Sequence, residues 1–95
     1  MPASSQLIVI CYDVSSDRAR RKLAKRLEKV AVRVQESVFE TRMRVARAHS
    51  LGERLAELIG PQDSLRFYAV GQSGLAASRA WGALPMAANE DFWVA

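Results

Sequence analysis

The sequence predicts an α+β domain in which helices cover one face of an antiparallel sheet. Apolar, β-branched runs alternate with helical patterns in the order β-α-β-β-α-β. Each helical pattern is apolar along a single arc, so each helix has one face to bury, and a sheet can cover it. The 95 residues fit one compact domain, small enough that pairing with a second chain would stabilise it.

The first strand comprises residues 7–12, which are continuously apolar, as in a strand that is covered on at least one face. It ends at Asp13, a carboxylate. Ser15 or Ser16 can then cap a helix through a side-chain oxygen. We predict that this helix spans about residues 17–30.

The first helix separates apolar from cationic side chains. At about 100° per residue, one arc carries Ala19, Leu23, Ala24, Leu27, Val30 and Ala31, and the opposite side carries Arg18, Lys22, Lys25 and Lys29. The apolar arc should pack on the sheet, and the basic stripe should face solvent or phosphate. Arg20 falls inside the apolar arc near the helix start, so we expect it to point toward the end of the first strand, where Asp13 lies.

The remaining elements are two strands, a helix and a last strand. Within residues 32–44 the apolar side chains change from even-numbered positions, as at Val34 and Val38, to odd-numbered ones, as at Phe39 and Met43. A strand alternates without such a change, so the change indicates a tight turn or a bulge. We therefore predict a short strand at 32–35 and a longer one at 37–44. A helix at 46–59 and a strand at 64–70 complete the pattern.

This order of elements is the ferredoxin-like pattern, which we assign to residues 1–70. One face of its sheet stays uncovered and carries apolar residues, so we expect a homodimer in which a second protomer covers it. Residues 71–95 are rich in Gly, Ala and Ser and are predicted to form a linker-like C-terminal arm. A short strand near residues 91–94, around Phe92 to Val94, would pack on the partner protomer, unless the tail is merely frayed.

Positive charge is concentrated in the first half of the chain. The net charge is +4, but residues 1–47 hold eleven basic and five acidic residues, a net of +6, whereas residues 48–95 hold three and five, a net of −2. This asymmetry is typical of a protein that binds nucleic acid, although a solvated basic helix is the alternative. The candidate nucleic-acid-binding residues are Arg18, Arg21, Lys22, Lys25 and Lys29.

Several classes of site are excluded by composition. Cys11 and His49 are the single cysteine and the single histidine, so an internal disulfide and a structural zinc site of Cys and His ligands are impossible. The sequence has neither a P-loop nor a nucleophile elbow. It also lacks a run of eighteen apolar residues and a recognisable signal peptide, so we expect a cytoplasmic protein without membrane contact.

Asp13 is a candidate catalytic residue that these exclusions leave, as a possible metal ligand. A carboxylate at a strand end can ligate Mg²⁺ or Mn²⁺, which takes one or two protein carboxylates and keeps several waters. One carboxylate in each chain is little for phosphodiester hydrolysis, so we expect the ion at a dimer interface that supplies a second Asp13. Arg20 or Arg33 would then clamp the phosphate. The alternatives are that Asp13 caps the helix or pairs with Arg20.

Four segments resemble the CRISPR-associated Cas2 family. They are Tyr12-Asp13-Val14-Ser15, then Arg20 to Lys22, then Arg33-Val34-Gln35-x-Ser37-Val38-Phe39-Glu40, and finally Asp63-Ser64-Leu65-Arg66-Phe67-Tyr68. The likeness spans roughly residues 7–70, and its most specific parts are the Tyr-Asp strand end and the R-V-Q-x-S-V-F segment.

The resemblance implies a ferredoxin-like homodimer that joins Cas1 in the complex that integrates new spacers into a CRISPR array. It further implies, for some members, a metal-dependent endonuclease that acts on RNA or duplex DNA. The family's metal-binding Asp falls on Asp13, and its other functional positions fall on Tyr12, Arg20, Arg33 and Phe39, with a further basic position on Lys22.

The sequence is compatible with three functions. The protein is a structural DNA-binding dimer without catalysis, a Mg²⁺- or Mn²⁺-dependent endonuclease that uses Asp13, or a toxin-like ribonuclease of the same fold that acts outside CRISPR. An adjacent Cas1 gene and a repeat array would separate the last from the others.

Overall fold

A computed structural model describes residues 5–83 of the chain. Its elements in chain order are β1 (Ser5–Asp13), α1 (Asp17–Leu27), β2 (Val32–Gln35), β3 (Val38–Arg44), α2 (Val45–Ala56), β4 (Ser64–Val70) and α3 (Gln72–Ala77). The first six elements confirm the β-α-β-β-α-β order that the sequence predicts. The predicted strand at Phe92 to Val94 lies outside the described residues.

The four strands form one antiparallel sheet in the order β2-β3-β1-β4. β1 is central and pairs with β3, where Ile10 lies opposite Phe39, and with β4, where Asp13 lies opposite Ser64. The β2–β3 register shifts between Arg33 and Gln35, which confirms the irregularity that the change of parity predicts. This order is that of a ferredoxin-like sheet, so the predicted fold class is confirmed.

The core lies between one face of the sheet and the two longer helices. Its buried side chains from the sheet include Ile8, Ile10, Tyr12, Phe39 and Met43, and those from the helices include Leu23, Ala24, Leu27, Ala48 and Leu55. The predicted apolar arc of α1 is therefore the face that packs on the sheet. Thr41 is the one buried polar side chain among the described residues, and its hydroxyl donates to the Val30 carbonyl at 2.6 Å.

Both helices end about three residues earlier than the sequence predicts. After α1, the amide of Lys29 bonds the carbonyl of Arg26 and that of Val30 bonds the carbonyl of Leu27. The same three-residue spacing follows α2, where the amide of Leu58 bonds the carbonyl of Leu55. These tighter turns still bring Val30 and Leu58 against the core, which explains why the apolar periodicity extends past the α-helical ends.

The start of the C-terminal arm differs from the prediction. The arm at 71–95 is predicted to be linker-like, but within its described part Gln72–Ala77 form the short helix α3, in which the amide of Leu75 bonds the carbonyl of Gly71. The run Leu75-Ala76-Ala77 favours helix, and the surrounding glycines and serines mask that preference in the sequence. None of the helices within residues 5–83 is long and apolar enough to cross a membrane.

Candidate functional site

Asp13 ends β1 on the face of the sheet away from the helices. Ile8, Ile10 and Tyr12 point into the core, so strand alternation places Asp13, like Cys11, on the opposite face. Asp13 is exposed, and within residues 5–83 its carboxylate has neither a hydrogen bond nor an ion pair. It is therefore a carboxylate available to a ligand.

The loop after Asp13 is short and firmly attached. Val14 is buried, and Ser16 caps α1 by accepting a hydrogen bond at 3.2 Å from the amide of Ala19, so the predicted cap is confirmed for Ser16 and the alternative cap by Asp13 is wrong. Val14 and Ser15 also offer their carbonyl oxygens to a side chain of α1. The loop thus joins the end of β1 rigidly to the first turn of the basic helix.

Arg20 points to the strand end, as expected, but it does not pair with Asp13. One guanidinium nitrogen of Arg20 donates to the carbonyl of Val14 at 2.7 Å and to that of Ser15 at 3.1 Å. Its ion pair is with Asp17, three residues earlier in the same helix. The alternative of an Asp13–Arg20 ion pair is therefore wrong. Arg20 fixes the loop that carries Asp13 and leaves the Asp13 carboxylate free.

Asp63 holds the same loop from the other side, and the sequence reasoning did not identify this role. Its carboxylate accepts hydrogen bonds from the amide of Gly60 at 2.7 Å, from the amide of Ser15 at 3.1 Å and from the hydroxyl of Ser15 at 3.3 Å. The backbone donors Gly60 and Ser15 lower the pKa of Asp63. The signal was present in the resemblance, since Asp63 opens its last segment.

The exposed face of α1 forms one wall of a cationic groove. All five predicted nucleic-acid-binding residues, Arg18, Arg21, Lys22, Lys25 and Lys29, are exposed, and none has an ion pair within residues 5–83. The groove has a volume of about 640 Å³ and runs between α1 and the β2–β3 turn at Glu36 and Ser37. Its lining includes every one of these cations except Lys29, together with Arg20 and Arg33. Unpaired cations around an open groove are suited to a polyanion.

Tyr12, Arg33 and Phe39 form a cluster on the helix-covered side of the sheet. The rings of Tyr12 and Phe39 stack with centroids 6.3 Å apart, and the Arg33 guanidinium lies over the Phe39 ring at 5.2 Å. The pKa of the Arg33 guanidinium is raised, chiefly by its interaction with the Tyr12 hydroxyl. Glu28 lies 3.7 Å from Arg33 and adds an ion pair at the surface. Phe39 is fully buried, so it supports Arg33 from below.

The predicted catalytic residues are thus divided between the two faces of the sheet. Tyr12, Arg33 and Phe39 belong to the face under the helices, whereas Asp13 lies on the uncovered face. Arg20 stands between them at the strand end, bonded to the loop. Tyr12 and Asp13 are adjacent in β1, yet their side chains lie on opposite faces of the sheet, because successive side chains of a strand point in opposite directions.

A divalent cation fits Asp13 only as part of a larger ligand set. The carboxylate is exposed and unpartnered, and a hard oxygen ligand is what Mg²⁺ and Mn²⁺ prefer. Among residues 5–83, however, no group of three or more His, Cys, Asp or Glu side chains could hold a metal ion. One chain therefore supplies one carboxylate, and the rest of the coordination must come from water, nucleic acid or a second protomer.

Comparison with known proteins gives a consistent assignment. The family model described as CRISPR associated protein Cas2 matches residues 6–77. A curated relative, CRISPR-associated endoribonuclease Cas2 3 of Synechocystis sp., is 40% identical over 81 residues, which cover 84% of this chain and 88% of the relative. The solved structure of Streptococcus pyogenes Cas2 has a TM-score of 0.66 at 29% identity, covering 80% of this chain and 99% of that one. A chain of a partial Cas6-RT-Cas1–Cas2 complex has a TM-score of 0.71 at 31% identity, covering 86% and 91%.

The Arg33–Phe39 contact predicts a measurable coupling. We expect Arg33→Ala and Phe39→Leu to lower the free energy of unfolding by amounts that do not add, with a coupling of about 0.5–1 kcal/mol, because the guanidinium stacks on the buried ring at a partly exposed position. Urea unfolding of the two single variants and the double variant measures it. The matched control is Arg47→Ala, an exposed arginine of α2. Full additivity would contradict the proposed contact.

Proposed function

Because this chain belongs to the CRISPR-associated Cas2 family, we propose that it is a dimeric nucleic-acid-binding component of a CRISPR spacer-integration complex, with Cas1 as its protein partner. A metal-dependent endonuclease activity at Asp13 is the second candidate function. The family match over residues 6–77 supports both, as do a relative named an endoribonuclease and a similar chain in a Cas1–Cas2 complex.

The observation that carries the binding function is the cationic face of α1. Arg18, Arg21, Lys22 and Lys25 are exposed cations of α1 that have no ion pair among the described residues, and all four line the groove. Lys29, also exposed and unpaired there, lies two residues beyond the end of the helix. Each cation that contacts a phosphate releases a condensed counterion, so such a face gives affinity that depends strongly on salt. No base-reading element is required for this mode, which suits a protein that must accept spacers of any sequence.

The uncovered face of the sheet supports the homodimer. The register places Val9, Cys11, Val38 and Tyr68 on that face, together with the charged residues Glu40 and Arg66, and Tyr68 is 48% exposed. The apolar side chains of this mixed face would gain from a cover, and a second copy presents the same face with both apolar and charged residues. Two protomers joined in this way would bring the same face of each β1, and hence each Asp13, into one interface.

The endonuclease candidate depends on that arrangement. Asp13 is the free carboxylate of the interface, and a second Asp13 would complete the pair of carboxylates that Mg²⁺ or Mn²⁺ accepts. A bound ion would supply Lewis-acid activation of water and would neutralise charge on the phosphate. Arg20, bonded to the carbonyls of Val14 and Ser15, holds the loop of Asp13 in place. Arg33 lies on the other face of the sheet, so in this proposal it supports Tyr12 and Phe39 rather than clamping the phosphate.

The C-terminal arm completes the proposal. We assign residues 71–95 to contacts with the partner protomer or with Cas1, since α3 follows directly on the edge strand β4. In the alternative of a ribonuclease outside CRISPR, the same arm would have no Cas1 to contact.

Dimerisation through the uncovered sheet face can be tested by charge insertion. We expect sedimentation equilibrium of the wild-type protein to give twice the chain mass of 10.5 kDa, and Val38→Glu to give a single chain mass, because a buried unpaired carboxylate opposes association. Ala46→Glu, which makes the same kind of change at an exposed position of α2, should remain dimeric. A dimeric Val38→Glu variant would place the interface elsewhere.

The binding face predicts a change in both affinity and salt dependence. We expect the double variant Lys22→Ala, Lys25→Ala to bind duplex DNA more weakly and to lower the slope of log affinity against log salt by about 1–2, since each lost phosphate contact removes about 0.9 from that slope. Fluorescence anisotropy at several salt concentrations measures both quantities. The double variant Arg47→Ala, Arg54→Ala removes two exposed cations of α2 and should leave the slope nearly unchanged. Equal losses of DNA affinity in the two double variants would contradict the binding face, because binding would then depend only on the net charge of the protein.

Asp13 separates the nuclease from the binder. We expect Asp13→Asn to abolish Mn²⁺-dependent cleavage of RNA or duplex DNA, because it removes the anionic ligand while preserving the shape of the side chain, and to leave DNA affinity within about twofold of wild type. Glu57→Gln, an exposed position at the end of α2, is the control. If the wild type does not cleave, or if Asp13→Asn cleaves equally, the protein binds nucleic acid without catalysis through Asp13.

A further inference from the structure

Two connections of the chain meet at Asp63, although they are 48 residues apart in sequence. The first is the α2–β4 turn, which Asp63 closes reciprocally: its amide donates to the Gly60 carbonyl at 3.1 Å, and its carboxylate accepts from the Gly60 amide at 2.7 Å. The second is the β1–α1 loop, which Asp63 reaches through both the amide and the hydroxyl of Ser15. The carboxylate therefore acts as a bridge between the two connections.

The segment held by this bridge is the one that presents Asp13. Asp13 is the last residue of β1, and in the pairing of β1 with β4 it lies opposite Ser64, the neighbour of Asp63. Directly after Asp13, Val14 is 3% exposed and is anchored in the core, and Ser15 is bound to Asp63. The backbone of Asp13 is thus fixed both before and after the residue, whereas its carboxylate has no partner among the described residues.

We propose that Asp63 is a positioning residue for the Asp13 site, and that its carboxylate sets how Asp13 is presented to a divalent cation. The inference rests on the metal site of the proposed function. Hydrogen bonds between a carboxylate and backbone amides are charge-assisted and stronger than neutral ones, so Asp63 is suited to this task. The backbone donors Gly60 and Ser15 that lower the pKa of Asp63 are the same groups through which it bridges the two connections. Each carboxylate oxygen of Asp63 accepts a hydrogen bond from a backbone amide, one from Ser15 and the other from Gly60. An Asn side chain has only one oxygen, so its NH2 group would face one of those N–H donors.

Asp63→Asn is the informative variant, and two readouts are required. The first is hydrogen exchange of the Ser15 amide, which we expect to become about tenfold faster when its charge-assisted bond is lost. The second is Mn²⁺ alone, titrated while the amide signals of residues 12–15 are observed by NMR. We expect the Mn²⁺ concentration for half-maximal broadening to rise about tenfold, as occurs when residues that orient metal ligands are changed. A role in stability alone would not change the second readout.

Two further variants control the experiment. Glu57→Gln removes a negative charge from the same end of α2 without touching the loop, and it should change neither readout. Ser15→Ala removes the hydroxyl bond to Asp63 but keeps the amide bond, so it should raise the Mn²⁺ requirement in the same direction by a smaller factor. It also provides the test if Asp63→Asn does not fold.

The outcomes are distinct. If wild-type amides near Asp13 do not respond to Mn²⁺, the metal site fails, and the positioning role fails with it. If the wild type responds and Asp63→Asn matches it in Mn²⁺ requirement, the positioning role alone is overturned, whatever the exchange rate of Ser15. An unchanged exchange rate at Ser15 would likewise overturn it, since the bridge would then hold nothing in place.

Discussion

The alternation of side chains along β1 is the constraint on which the rest of the structure depends. β1 is the central strand and pairs on both sides, with β3 and with β4, so its register cannot slip without moving a whole face of side chains from the core to the surface. That register sends Tyr12 into the core and Asp13 to the uncovered face. Two adjacent residues of one motif consequently serve two different environments.

A loop of three residues then connects this strand to the cationic helix. Val14 anchors it in the core, Ser16 caps α1, and the loop carbonyls receive the guanidinium of Arg20. Because ordering a backbone segment is entropically costly, so many contacts on so short a loop indicate that its position matters. The loop keeps the free carboxylate at a constant place relative to the cationic face of α1.

The arginines and lysines of the first half are not equivalent, although all carry the same charge. Arg20 is bound to the loop and to Asp17, and Arg33 is bound over Phe39 and beside Glu28. The cations on the outer side of α1 have no such partners among residues 5–83. The guanidinium groups of Arg20 and Arg33 thus serve as structural ties, while the charges on the outer side of α1 stay available to an anion. The division separates the unpartnered cations, on the helix side, from the candidate metal ligand Asp13, on the uncovered face.

The sequence by itself determined the order of elements, the apolar and basic sides of α1, the irregularity between β2 and β3, and the Asp13 strand end. All of these are local periodicities or short motifs, so a single chain suffices to show them. Only the tertiary structure decided which partners the polar side chains take. Arg20 pairs with Asp17 instead of Asp13, Arg33 reaches Phe39, and Asp63 holds Ser15 across 48 residues. The Arg33 and Asp63 contacts depend on strand register and on the packing of distant segments, which no local pattern in the chain records. Arg20 had two candidate partners nearby in the sequence, Asp13 and Asp17, and only the geometry of the loop chose between them.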